Sequence, residues 1–328
     1  MGNPPPGLLR NPPPRFGLPA QLAALAVAKV FACYRRDRTK RPEFRPLGTV
    51  TYDRRVLRLL NLTVVSVSTL QGRLRVSLIA GGYQTNRLKG AVLGESKLLF
   101  HRDRNHWSFV FTVKSEPPPV SEPAGFLGVD MGVVNIAADS DGNLYSGGHV
   151  RGLRKRHLKL RRRLQAKGTR GARRLLSRRR RKERRFQRWV NHHISKQIVT
   201  AAQGTGRGIA VEDLTGIRSR ITARKKQRPV LSAWAFGQLR FFLTYKAEDA
   251  GVPLVAVDPR GTSRTCPGCG GEEARNRRSQ AEFRCVRCGL SGHADLFAAL
   301  NIQRRVVVSR PDCSEQRLAD LQGKAAAL

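Results

Sequence analysis

The chain has 328 residues, enough for one large domain with its own core and some smaller modules. Lys and Arg total 62 against 23 Asp and Glu, a formal net charge of +39. An excess this large and this clustered fits a polyanionic partner better than a merely basic surface, because each neutralised phosphate releases counterions. Four of the six Cys form two close pairs, while Cys33 and Cys313 stand alone, a pattern that suits metal binding in a reducing compartment better than a disulfide framework.

Seven of the first twenty residues are proline, so Met1 to Gly17 is expected to be a disordered leader. Leu18 to Tyr34 is predicted as one helix. Its apolar stretch, Leu22 to Phe31, is too short to cross a bilayer, and no signal peptide is evident. Strands are expected at Leu60 to Leu70 and Gly72 to Ala80, joined by a Gln71-Gly72 turn. A hairpin is expected from Lys97 to Arg102 and His106 to Lys114, with Trp107, Phe109, Phe111 and Val113 on one face. Residues 46–118 thus read as a small barrel-like β-domain after a leader and single helix in 1–45, and 119–125 as a proline-rich linker.

Phe126 to Asp130 is an apolar strand ending on an acid, and Gly132 to Ala138 continues as a second strand into an Asp141-Gly142-Asn143 turn. Between Arg151 and Val190 lie twenty Lys or Arg and a single acid, Glu183. The later part of this run places Phe186, Trp189, Val190, His193, Ile194, Gln197 and Ile198 on one helical face, expected to be the core side, with a cationic face opposite. His192 and His193 are read as surface and core residues of that helix. A solvated charge run is the bland alternative, but twenty cations with one counter-charge repel unless a polyanion lies against them. Arg207 to Glu212 is another strand ending on an acid. Trp234 to Ala250 is predicted as a helix, Val252 to Asp258 as a strand, and Ala294 to Arg305 as a helix. The alternation argues for an α/β sheet layered with helices. No P-loop string occurs, and no His-x-His pair.

Two constellations carry chemistry. Cys266-Pro267-Gly268-Cys269 and Cys285-Val286-Arg287-Cys288 are separated by fifteen residues. Each C-x-x-C aims two thiolates at one point, and two such knuckles complete a closed tetrahedral Zn²⁺ site that would help fold a segment too small for its own core. A redox dithiol or unliganded thiols are the alternatives. Separately, Asp130 and Glu212 end strands and Asp295 opens the last helix. Brought together, three carboxylates repel, and hard divalent cations resolve that repulsion. Two Mg²⁺ held this way would cleave phosphodiesters. Any one acid taken alone could be a cap or a surface charge.

Gly128-Val129-Asp130-Met131-Gly132-Val133-Val134-Asn135-Ile136-Ala137 resembles the first RuvC motif of the transposon-encoded TnpB (OrfB) proteins, relatives of the type V CRISPR effectors. Ile209 to Leu214 resembles the second motif and His293 to Ile302 the third, while Pro259 to Cys269 is similar to the run leading into the family's zinc ribbon. The resemblance covers roughly Val50 to Arg305 and implies an RNase H-like (RuvC) nuclease over 126–264, with a basic helical insertion at 151–205. It further implies a zinc ribbon at 265–290, a last nuclease helix at 291–306 and a tail at 307–328. It implies an RNA-guided, Mg²⁺-dependent DNA endonuclease, with Asp130, Glu212 and Asp295 catalytic and Mg²⁺-binding and Cys266, Cys269, Cys285 and Cys288 holding structural Zn²⁺. Its partners would be a guide RNA from the transposon end and target DNA, in the cytoplasm with the nucleoid and away from membranes. Arg154, Lys155, Arg161, Arg162, Arg173, Arg174, Arg178, Arg179, Arg180 and Arg181 are the expected nucleic-acid contacts. The family has a longer N-terminal part, so a shortened or non-cleaving remnant is the alternative expectation.

Overall fold

The computed structural model describes residues 17–308 except Asp103, Ser115, Pro117, Ser121 and 215–235. The expected leader, the tail and Trp234 lie outside the described residues. The chain divides into two compact units, Met1–Glu116 and Pro117–Leu328.

In the first unit, α1 (Ala20–Arg36) occupies the predicted helix, shifted by two residues at each end. Six strands follow: β1 (Val50–Tyr52), β2 (Leu57–Asn61), β3 (Val64–Thr69), β4 (Gly72–Ser77), β5 (Ser96–His101) and β6 (His106–Val110), with a short α2 (Gly82–Leu88) between β4 and β5. The run expected as one strand from Leu60 to Leu70 is broken at Leu62 and Thr63, where the Asn61 side chain accepts from the Thr63 amide and turns the chain. The strands form two three-stranded sheets, β2-β3-β4 and β1-β5-β6. Residues of both share one core of Tyr52, Leu57, Val65 and Val67, with Leu98 and Phe109 packed against it.

The second unit is built on a five-stranded mixed sheet. It contains β7 (Phe126–Asp130), β8 (Asn135–Asp139), β9 (Leu144–Ser146), β10 (Gly208–Glu212) and β11 (Leu254–Val257), ordered β11-β10-β7-β8-β9. The β7, β8 and β9 strands run antiparallel in sequence, whereas β10 and β11 run parallel to β7. Two long helices, α3 (Gly148–Lys167) and α4 (Arg170–Gly204), connect β9 to β10, and α5 (Phe236–Asp249) precedes β11. After a small cysteine-bearing hairpin of β12 (Glu282–Arg284) and β13 (Ser291–His293), α6 (Ala294–Val308) completes the unit.

Strand alternation decides which side each residue faces. Leu127, Val129, Ile209 and Val211 pack with Ile194, Ile198 and Ala202 of α4 and Leu239 and Leu243 of α5. Phe126 and Ala210 point the other way and pack with Ile302 and Val306 of α6. Asp130 has the parity of Phe126, and Glu212 that of Ala210, so both acids belong to the α6 face. Gly128 shares that parity too, and a Cβ there would collide with the Ala299 carbonyl and lie 2.7 Å from the Gln303 amide. The missing side chain is what lets α6 lie directly on β7.

The expected core face of α4 is corrected. In its later part Asn191, Ile194, Ser195, Ile198, Val199 and Ala202 are buried, while Trp189 is 63% exposed and His193 and Gln197 are also exposed. Phe186, Trp189 and His193 follow the i, i+3, i+7 spacing of a second stripe, one that helical periodicity alone merged with the core stripe.

Candidate active site

Asp130 ends β7 half-buried, Glu212 ends β10 at 9% exposure, and Asp295 sits in the first turn of α6 at 2%. The parity of β7 and β10 turns the first two toward the helix whose N-terminus carries the third. Each of the two most buried carboxylates has its own positioning partner. Thr262 donates its hydroxyl to Glu212, and Asn135 donates its amide to Asp295 at 2.9 Å. Asp295 also accepts from the Arg277 guanidinium at 3.0 Å, and its own amide donates to His293 Nδ1, which caps α6.

Asp130 and Glu212 end neighbouring parallel strands with the same parity. Burial, then repulsion from Glu212 and Asp295, pushes the Asp130 carboxyl up to about 8, against an opposing pull from Arg277. Burial also raises Glu212, opposed by the Thr262 hydrogen bond and by Arg305 and Arg277. The carboxylate oxygens do not close to the spacing of a formed metal cage; among the described residues only the four paired cysteines do so. The donor set nevertheless fits a cation: all three acids are buried or half-buried, and one of them, Asp295, already carries a positive partner in Arg277. Asp213, the neighbour of Glu212, has the opposite parity and pairs with Arg240 of α5 at 2.7 Å.

The thiols of Cys266, Cys269, Cys285 and Cys288 offer ligand atoms that all lie within 4.8 Å of one another. Each knuckle ends in a glycine in the left-handed region, Gly270 at φ +71° and Gly289 at φ +76°. There the Gly270 amide returns to the Cys266 carbonyl and the Gly289 amide to the Cys285 carbonyl. Phe283, Phe297 and Ala294 pack beneath the cysteines, so the start of α6 is part of this module's small core. Burial raises the Cys266 thiol to about 12. Burial acts on Cys285 in the same direction, but the Cys288 and Arg287 amides directed at its sulfur bring it down to about 6. A cluster that holds thiol and thiolate side by side is the donor chemistry a soft divalent ion replaces. Cys33 lies apart on α1, and Cys313 lies outside the described residues.

Of the ten expected nucleic-acid contacts, Lys155, Arg162, Arg173, Arg174, Arg178, Arg179, Arg180 and Arg181 are exposed on α3 and α4. Arg154 and Arg161 turn inward. With the buried His157 they surround Glu183, the acid of the basic run, and clamp α3 to α4. Among the described residues no helix is long and apolar enough to cross a membrane.

Residues 109–216 match the family model described as "Probable transposase", and residues 236–302 match "Cas12f1-like, TNB domain". Over these two stretches the chain is similar to OrfB-type transposases and to Cas12f1-like proteins. It is 33% identical over 234 residues to the CRISPR-associated endodeoxyribonuclease Cas12f1 of Sulfoacidibacillus thermotolerans, a match covering 66% of this chain and 54% of that protein. It is 35% identical over 115 residues to the TnpB-like protein MJ0751 of Methanocaldococcus jannaschii, covering 35% of this chain and 41% of that one. The chain thus spans about half the length of the curated relatives it matches. The fold is that of Cas12f1 as solved in complex with sgRNA and target DNA: the TM-score is 0.57 at 14% identity, over 87% of this chain and 71% of that one. The "Probable transposase" match ends just past Glu212, and the "Cas12f1-like, TNB domain" match spans the cysteine pairs and Asp295. Thr262, Arg277 and Asn135 were not singled out in the sequence. They act on acids 50, 18 and 160 positions away, and local pattern carries no signal for such pairs.

Proposed function

We infer that the chain is an RNA-guided DNA endonuclease whose second unit is an RNase H-like (RuvC) nuclease. The reading is supported by the placement of the acids: Asp130 and Glu212 end two neighbouring parallel strands on the face that α6 covers, and Asp295 sits in the first turn of α6. The strand order, with a three-stranded antiparallel meander extended by two parallel strands, supports the fold assignment. Two sheets around one core support the barrel-like reading of residues 46–118.

Asp130, Glu212 and Asp295 would hold Mg²⁺, which when bound activates water and stabilises the leaving oxygen of a phosphodiester. Thr262 fixes the Glu212 carboxylate, and Asn135 fixes that of Asp295. Arg277 offsets part of the negative charge until a divalent ion takes that role. Cys266, Cys269, Cys285 and Cys288 would hold structural Zn²⁺, joining the start of α6, and hence Asp295, to the ribbon core. The exposed cations of α3 and α4 would lie against the phosphates of the guide RNA or of its duplex with target DNA. The test is cleavage of matched duplex DNA by the purified chain loaded with guide RNA. Cutting that needs Mg²⁺ and stops with a chelator is expected, and no cutting across a range of divalent ions would refute the reading.

A further inference from the structure

The outward stripe of α4 is not accounted for by the nuclease centre or by phosphate contacts. Phe186 and Trp189 stack at 6.2 Å with their planes 20° apart, and Trp189 and His193 stack at 5.7 Å and 11°. Three parallel rings therefore run along the helix, with the central indole 63% exposed. A core helix would bury such a row, and a solvated helix would not carry it. Lys182, Arg185 and Lys196, all exposed, stand seven and four residues before and seven after Trp189, on the same helical face.

An exposed aromatic row bordered by cations matches unpaired nucleobases: rings stack on the bases while the cations meet the phosphates on either side. An apolar protein partner would be poorly served by so cationic a border. Asn191, two residues from Trp189, lines a small cavity with Gly132 and Val133, which closely follow Asp130. The row is thus level with the acid end of the sheet, on the outer side of the helix that covers the face opposite α6.

We propose that Phe186, Trp189 and His193 form a stacking platform for single-stranded DNA, level with the acid end of the sheet. The choice of DNA strand rests on the nuclease reading above. The platform itself is tested by binding alone, in an Asp130→Ala background that cannot cut.

The measurement is the affinity of the purified 328-residue chain for a labelled single-stranded DNA oligonucleotide, together with quenching of tryptophan fluorescence. Trp189→Ala should weaken binding about ten-fold, the effect of losing one base stack, and remove most of the quenching. Trp189→Phe should restore most of the affinity, whereas Trp189→Leu should not. An abasic oligonucleotide with the same phosphates should bind the unsubstituted Trp189 protein as weakly as the normal oligonucleotide binds Trp189→Ala. Because the indole is exposed, the variants should keep the parent melting temperature. Equal affinity of Trp189→Ala for the normal oligonucleotide, or no penalty for the abasic one, would overturn the platform. So would a Trp189-dependent dimer in sedimentation, or a dependence seen with RNA but not DNA. Trp189-dependent binding alongside no cleavage by the guide-loaded parent would leave the platform standing and remove the nuclease reading.

Discussion

At the scale of single residues, two neighbouring acids with opposite fates separate site from surface. Glu212 is 9% exposed and held by Thr262, while the Asp213 side chain is 49% exposed and held by Arg240. Glu212→Ala should abolish cleavage, whereas Asp213→Ala should change the rate less than about three-fold, since an exposed pair contributes roughly 0–1 kcal/mol. Equal damage from the two would mean the second acid is misassigned. The pH behaviour of the metal-free chain follows from Asp130. Its carboxyl is raised from 3.8 to about 8, so the folded state binds a proton that the unfolded state has released. Stability should therefore fall as pH climbs through that window, and Asp130→Asn should flatten the fall, read as melting temperature against pH in chelator. Above about pH 8, added Mg²⁺ should raise the melting temperature of the parent more than that of the variant. The placement of the three acids at two strand ends and a helix start was legible in the sequence, because apolar runs and a helix start bound them. Arg277, Thr262 and Asn135 were not, because only folding brings them to those acids.

At the scale of elements, α6 and α4 show what periodicity resolves and what it merges. The end of β7 and the start of α6 were read to the residue, since alternation, an acid and a helix start coincide there. That α6 lies directly on β7 at Gly128 was not legible, because a glycine in a strand signals a close approach without naming the partner. Gly128→Ala sets a methyl against backbone atoms of Ala299 and Gln303, which cannot rotate away. It should cost about 3 kcal/mol in chemical denaturation, with activity falling as α6 and Asp295 shift. On α4, a helix of 35 residues presents several stripes, and an aromatic row beside the core row reads as one broad apolar face until packing separates them. The α3–α4 clamp likewise depends on Glu183 meeting Arg154, His157 and Arg161 from the other helix. Glu183→Ala leaves like charges facing one another in a part-buried seam. Limited proteolysis should then cut at Gly168, the left-handed link between the helices, well before it cuts the parent.

At the scale of the whole molecule, charge and metal make separate demands. A net charge of +39 makes nucleic-acid affinity steeply salt-dependent. Replacing Arg178, Arg179, Arg180 and Arg181 with Gln should flatten the slope of log affinity against log salt, by about 0.9 for each phosphate that these side chains neutralise, without altering which sequence is preferred. The four-thiol cluster should bring one Zn²⁺ with each natively purified chain, and Cys269→Ser should lose it along with part of the cleavage activity, because the ribbon core includes the start of α6. The alternation of apolar strands with helical patterns was enough to reach the α/β sheet from the sequence. The β-strand breaks near Leu62 were set by a local side-chain turn that a run of apolar residues conceals. The central claim is that Asp130, Glu212 and Asp295 form one metal-dependent centre. The most direct test compares the guide-loaded parent with Asp130→Ala, measuring DNA cleavage in Mg²⁺ and DNA binding on the same preparation. Cleavage abolished with binding kept within about two-fold is the predicted result, since the carboxylate positions metal and does not hold DNA; undiminished cleavage by Asp130→Ala would contradict the account.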